Sequence, residues 1–201
     1  DDIKDAFVTE WDGNRDDAEF HFTDKPDDLR EIGINSVGHW SDTIAREIQP
    51  KFVQKKLAVK FDDFDFDILQ FADVITEEDV IIDNKTAGRS VSLNKKSGKL
   101  IIPHDHRLQL TMYDIGYEVN EEVKAKGLGL DYLIKNKKPK VQQSRWKPNN
   151  QDRQYVLGLM EHVANGVKKE VFIPNRNSML CSKKFCAYWQ ECEKKYGGKV
   201  K

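Results

Sequence analysis

The run Val80-Ile81-Ile82 ends abruptly in Asp83-Asn84-Lys85-Thr86. Three β-branched residues in succession read as a buried strand. A strand decides which side chains leave it together, because residues i and i+2 project from one face. Asp83 and Lys85 therefore emerge side by side at the strand's end. A carboxylate able to hold a divalent cation, with an ammonium beside it, is the smallest kit for polarising a phosphodiester and activating a water. Taken alone the pair also reads as a surface ion pair, so its neighbours decide the matter.

The pattern on either side predicts α/β architecture with a mixed central β-sheet flanked by helices. Asp24 to Ile48 reads as a helix, with Pro26 in its first turn, Asp24 as cap and Pro50 as its stop. Phe52 to Phe61 alternates as a strand, Asp62 and Asp63 mark a turn, and Phe64 to Ile75 reads as a second strand. A polar turn, Thr76 to Asp79, leads into the Val80 strand. After the basic loop from Ala87 to Asp105, a helix from His106 to Val123 carries Leu108, Met112, Ile115 and Val119 as its apolar stripe, with Gly127 and Gly129 closing it. Strands Leu130 to Ile134 and Val141 to Trp146 follow. The last long helix, Asp152 to Glu170, places Val156, Leu157, Met160, Val163 and Val167 inward.

The chain has 201 residues, 38% hydrophobic and 33% charged, which suits a globular protein with a genuine core. No apolar stretch approaches the roughly 18 residues that a membrane span needs. A net charge of −1 argues against wholesale attraction to nucleic acid, but 33 Lys and Arg leave room for a local basic path. Residues 3 to 11 already read as helix, so the chain is expected to begin within a longer domain. The three cysteines all fall between 181 and 192, and an odd count favours a metal site or free thiols in a reducing, cytoplasmic compartment.

Two further signals stand in order around the Asp83 strand. Asp73 interrupts the apolar segment Phe71 to Ile75, and pairing about the Thr76 to Asp79 turn brings it opposite Asp83. Two carboxylates on one hard cation is a usual way to hold Mg²⁺. Asp67 is a rival ligand; Asp73 is preferred because it faces Asp83 across the shorter hairpin. Gln109 and Tyr113 are i and i+4, hence on one helix face, and both offer hydrogen bonds to a phosphate or a base.

Asp73, then Ile82-Asp83-Asn84-Lys85, then Gln109-x-x-x-Tyr113 resembles the PD-(D/E)XK nuclease superfamily, and within it the RecB-type exonuclease branch. The resemblance covers roughly residues 50 to 192. It implies a restriction-endonuclease-like core and a Mg²⁺- or Mn²⁺-dependent exonuclease acting on DNA in phage or recombination and repair processing. Asp73 and Asp83 would be metal ligands, Lys85 would orient or help deprotonate the attacking water, and Gln109 and Tyr113 would position the DNA. The superfamily's upstream acid has no clear match: Gln54 stands near the place. A helicase or recombinase is the partner such a domain implies. The alternative is a catalytically inactive DNA-binding or partner-docking subunit with the same fold.

Cys181-x4-Cys186-x5-Cys192 resembles the C-terminal cysteine cluster of iron–sulfur members of that branch, the AddB-like ones among them. The resemblance implies a [4Fe–4S] cluster whose fourth cysteine, absent here, lies in a preceding segment. Free thiols and zinc remain the other readings of the same residues. His39 is the nearest stand-in for the branch's histidine ligand. His104 and His106 could touch DNA or be plain loop polarity. The lysines at 135, 137, 138 and 140, with Arg145 and Lys147, could follow a phosphate backbone or guard an edge strand. The expected division is 1–50 helical, 51–172 nuclease core, and 173–201 a cysteine-containing tail packed on the same domain.

Overall fold

The computed structural model describes residues 2–20, 24–62, 65–176, 178 and 180–198. Two compact units divide at Gly158, inside a helix, rather than at 50/51 and 172/173.

The first unit opens with helices α1 (Asp2–Asn14) and α2 (Pro26–Thr43) and a 3-10 turn at Ala45–Glu47. Strands β1 (Pro50–Val59), β2 (Ile68–Thr76) and β3 (Val80–Ala87) follow, then helix α3 (His104–Glu121) and strands β4 (Gly127–Ile134) and β5 (Lys140–Trp146). Helix α4 (Asn150–Lys168) runs on into the second unit, which ends in α5 (Trp189–Tyr196). The five strands form one sheet in chain order, antiparallel except for the parallel pair β3–β4. A parallel pair needs a crossover, and α3 is that crossover. The expected α/β architecture, a mixed sheet flanked by helices, is the one observed. No helix among the described residues is long and apolar enough to cross a membrane.

The core lies between α3 and the sheet, where Leu57, Ile75, Ile81, Leu110, Tyr117 and Leu130 are fully buried. Each such side chain contributes roughly 1.5–3 kcal/mol. At Gly116 an added Cβ would come 3.1 Å from the Leu57 Cβ, so the glycine sets how closely α3 approaches β1.

Several boundaries differ from the sequence expectation. The N-cap of α2 is Lys25, not Asp24, because Pro26 itself takes the first helical position. Strand β2 begins at Ile68, since Asp65 and Asp67 are poor strand formers; Asp63 and Phe64 lie outside the described residues. Glu122, in the left-handed conformation at φ 58°, closes α3, whereas Gly127 and Gly129 belong to β4. The buried face of α3 runs through Leu110, Tyr113 and Tyr117, and Val119 is exposed. Two tyrosines one turn apart rotated the face away from the purely aliphatic stripe. In α4, Val156 and Met160 are buried as expected, while Leu157, Val163 and Val167 are exposed.

Candidate active site

The β2–β3 ladder pairs Val74 with Ile82 and Ile75 with Ile81, which places Asp73 opposite Asp83 where the pairing ends. There the Asp73 side chain takes over from the backbone: its Oδ2 accepts the Asn84 N–H at 2.9 Å. Its Oδ1 accepts from Gln54 Nε2 at 3.3 Å. Gln54 has a φ of 50°, in the left-handed region. The burial alternation of β1 changes phase at that residue. Both Phe52 and Leu57 pack into the core although five positions separate them, which strict alternation forbids.

Asp83 is 1% exposed. Lys85 Nζ stands 2.8 Å from its Oδ2, a close ion pair. The approach is not directed as a hydrogen bond, and Oδ2 has no hydrogen-bond donor among the described residues. The ammonium instead donates to Gln109 Oε1 at 2.7 Å, and Gln109 Nε2 donates to Tyr113 OH at 2.7 Å. One connected path thus joins the end of β3 to the exposed half of α3. Burial pushes the Asp83 carboxyl above its ordinary range; Lys85 opposes the rise, Asp73 adds to it and His106 opposes it. Burial likewise raises the Tyr113 hydroxyl, against the pull of Gln109.

His106 and Tyr132 complete the neighbourhood. His106 Nδ1 lies 2.7 Å from Tyr132 OH, and burial pushes that hydroxyl up to about 12. Tyr132 sits beside Lys85 in the β3–β4 register, a placement invisible until the strands are paired.

The residues present suit a hard divalent cation. Two carboxylates meet where β2 leaves β3, and one of them keeps a buried oxygen that no donor satisfies, as a metal ligand would. They are only two: among the described residues, no three His, Cys, Asp or Glu side chains converge on one point. Gln54 stands where a third acid would complete the set.

Asp73, Asp83, Lys85, Gln109 and Tyr113 are therefore brought together. His39 lies on α2 and touches none of them, and Asp67 precedes β2 without reaching Asp83. Arg145 is not free for a phosphate: its Nη1 and Nη2 grip both oxygens of the buried Asp131 at 2.6 and 3.0 Å. Gly129 makes the room, since a Cβ there would sit 2.8 Å from Arg145 Cδ. The sequence reading also passed over Asp79, which receives Tyr117 OH at 2.8 Å, Lys126 Nζ at 3.0 Å and Lys51 Nζ at 3.1 Å. These donors hold its carboxyl down at about 2, Lys126 contributing most.

In the second unit, considered by itself, Cys181, Cys186 and Cys192 are free thiols lining a single cavity of about 770 Å³. Soft donors around one cavity suit an iron–sulfur cluster, whose irons are each held by a separate cysteine. Three thiols leave one such position to be filled from elsewhere.

Fold and site together define an α/β domain with a mixed five-stranded sheet and an acid–lysine strand end facing a Gln–Tyr helix. A similar solved structure is that of a Eubacterium rectale protein provisionally named an exonuclease. It has a TM-score of 0.60 and 14% identity, over 89% of this chain and 70% of that one. This likeness is one of fold. A second solved structure, SSO0001, has a TM-score of 0.36 and 13% identity over 79% of this chain and 84% of that one, too distant to carry an argument. No family model matches the chain, and no curated protein does.

Proposed function

We propose that the chain is a metal-dependent deoxyribonuclease of PD-(D/E)XK type, an exonuclease of the RecB-type branch. The observation that carries this reading is the path from Asp83 through Lys85 and Gln109 to Tyr113, with Asp73 beside Asp83 at the splay of β2 and β3. The exonuclease name of the Eubacterium rectale neighbour supports it.

Asp73 and Asp83 would hold Mg²⁺ or Mn²⁺, which when bound neutralises charge on the phosphate and lowers the pKa of a coordinated water. Lys85 keeps a proton-bearing ammonium at the end of β3, where it orients the attacking water and offsets negative charge as the phosphorus–oxygen bond breaks. Gln109 fixes the Lys85 head, and Tyr113 offers its hydroxyl to the strand. Cys181, Cys186 and Cys192 would bind three irons of a [4Fe–4S] cluster in a structural role.

A second reading rests on Gln54. An amide in place of the third acid favours a DNA-binding subunit that has lost turnover and docks a helicase or recombinase. One assay separates the two: the chain with Mn²⁺ on linear end-labelled DNA, beside Asp83→Ala and Lys85→Ala. Nucleotide release that disappears in both variants and in EDTA supports the enzyme. DNA binding without release, equal in all three proteins, replaces it with the second reading.

A further inference from the structure

The acidic residues of this chain are unevenly spread. Between Asp83 and Asp105 there are five Lys and Arg and no acid, and between Asp131 and Asp152 there are six and no acid. Elsewhere acids outnumber bases, since the whole carries a net charge of −1. The fold puts these two acid-free segments together. Strands β3 and β4 are parallel and end side by side at Ala87 and Ile134, and the Lys135 N–H donates to the Ala87 carbonyl at 2.8 Å. The first segment then forms an ordered hairpin. Leu93 bridges Leu100, Asn94 Oδ1 accepts the Lys96 and Ser97 N–H groups, and Gly98 takes the left-handed turn position at φ 66°. Gln142 of β5 pins that hairpin by accepting the Val91 N–H at 2.7 Å and donating to the Val91 carbonyl at 3.2 Å.

Lys95, Lys96 and Lys99 at the hairpin tip are exposed, as are Lys135, Lys137, Lys138 and Lys140 on the neighbouring turn. None of the seven has a carboxylate partner among the described residues, unlike the lysines at 51, 55, 85 and 126. Unpaired like charges held together in water repel, and a segment that fixes them in place without counter-charge is suited to an external polyanion. The adjoining site opens at the same end, because Lys85 lies two residues before Ala87.

From this juxtaposition we infer that the 91–101 hairpin and the 135–140 turn form a phosphate-tracking rim that holds the DNA backbone beside the Asp83–Lys85 site, without reading bases. The inference rests on the nuclease reading of that site. It is a claim about where affinity comes from, and affinity from phosphate contacts carries a measurable signature: log K falls linearly with log salt, by about 0.9 per contact on duplex and about 0.7 on single strands.

The test uses the whole chain bearing Asp83→Asn, so that DNA survives, and fluorescence anisotropy on labelled duplex and single-stranded DNA of mixed sequence across a salt series. Two rim variants, Lys95→Gln/Lys96→Gln/Lys99→Gln and Lys137→Gln/Lys138→Gln/Lys140→Gln, are compared with Lys25→Gln/Lys56→Gln/Lys60→Gln, which removes the same charge elsewhere. Each rim variant should flatten the salt slope by about 1 to 3, while the control keeps it. The larger slope change, on duplex or on single strand, identifies which form the rim holds. Slopes equal to the control's in both rim variants overturn the rim, leave the nuclease reading standing, and return these lysines to guarding the β5 edge. Absence of DNA binding by the Asp83→Asn chain even at the lowest salt overturns both.

Discussion

Asp73 Oδ2 accepts the backbone N–H of Asn84, 2.9 Å away on the neighbouring strand. That bond stands where a ladder bond would have been, so a carboxylate both terminates the β2–β3 pairing and fixes the position of the strand end that carries Asp83 and Lys85. Asp73 thus positions one half of the site while belonging to the other half.

Two substitutions separate those duties. Asp73→Asn keeps an oxygen to accept the Asn84 N–H and loses the charge; it should unfold in urea near wild type but lose Mn²⁺-dependent release of nucleotides. Asp73→Ala also frees the N–H, and should cost about 1 kcal/mol of stability besides. Equal urea midpoints for the two variants would show that the bond contributes nothing to the fold.

Gln109→Ala removes the acceptor of Lys85 and the donor to Tyr113 at once. Turnover should fall by about tenfold or more while the melting temperature changes little, since one hydrogen bond is worth about 1 kcal/mol. Steady-state rates on a fixed DNA substrate measure it, and a rate indistinguishable from wild type removes Gln109 from the path.

Asp131 is 1% exposed and is held by Arg145 across Gly129. Arg145→Ala leaves a buried charge with its main partner gone and should cost about 3–5 kcal/mol. Gly129→Ala only pushes a flexible guanidinium aside, so its cost should be smaller. Because both act on one ion pair, the double variant should fall short of the sum. Additive losses in a double-mutant cycle would refute the link.

Acid should loosen the β2–β3 turn. The Asp79 carboxyl is lowered from 3.8 to about 2. A carboxyl depressed in the folded state contributes stability above its unfolded pKa and loses that contribution as pH falls through the folded one. Its share is therefore complete above about pH 4 and fades between about 4 and 2. Asp79→Asn should be less stable than wild type at neutral pH, with the gap narrowing across that window in urea titrations. A gap independent of pH would assign the loss to packing.

How much of this was legible beforehand follows from range. Asp83 and Lys85 share a face by strand period alone, and Gln109 and Tyr113 by helix period alone. The facing of Asp73 and Asp83 needed only a short turn, and the register bears it out. What stayed hidden depends on partners far along the chain. Asp79 looked like turn polarity, and nothing local announces Lys51, Tyr117 and Lys126 around it. Gly129 looked like a helix stop until Arg145 was laid over it. Gln54 takes a left-handed conformation that no propensity assigns to glutamine, and Asp73 is the residue it meets.

The amide of Gln109 has only one workable orientation. An ammonium can only donate, so Lys85 claims the amide oxygen, and the nitrogen is turned toward Tyr113. The phenol oxygen is thereby made an acceptor, and its own hydrogen is left without a taker among the described residues. A positive charge on a strand end has, two bonds away, set the polarity of a hydroxyl on a helix: whatever approaches Tyr113 must bring a lone pair.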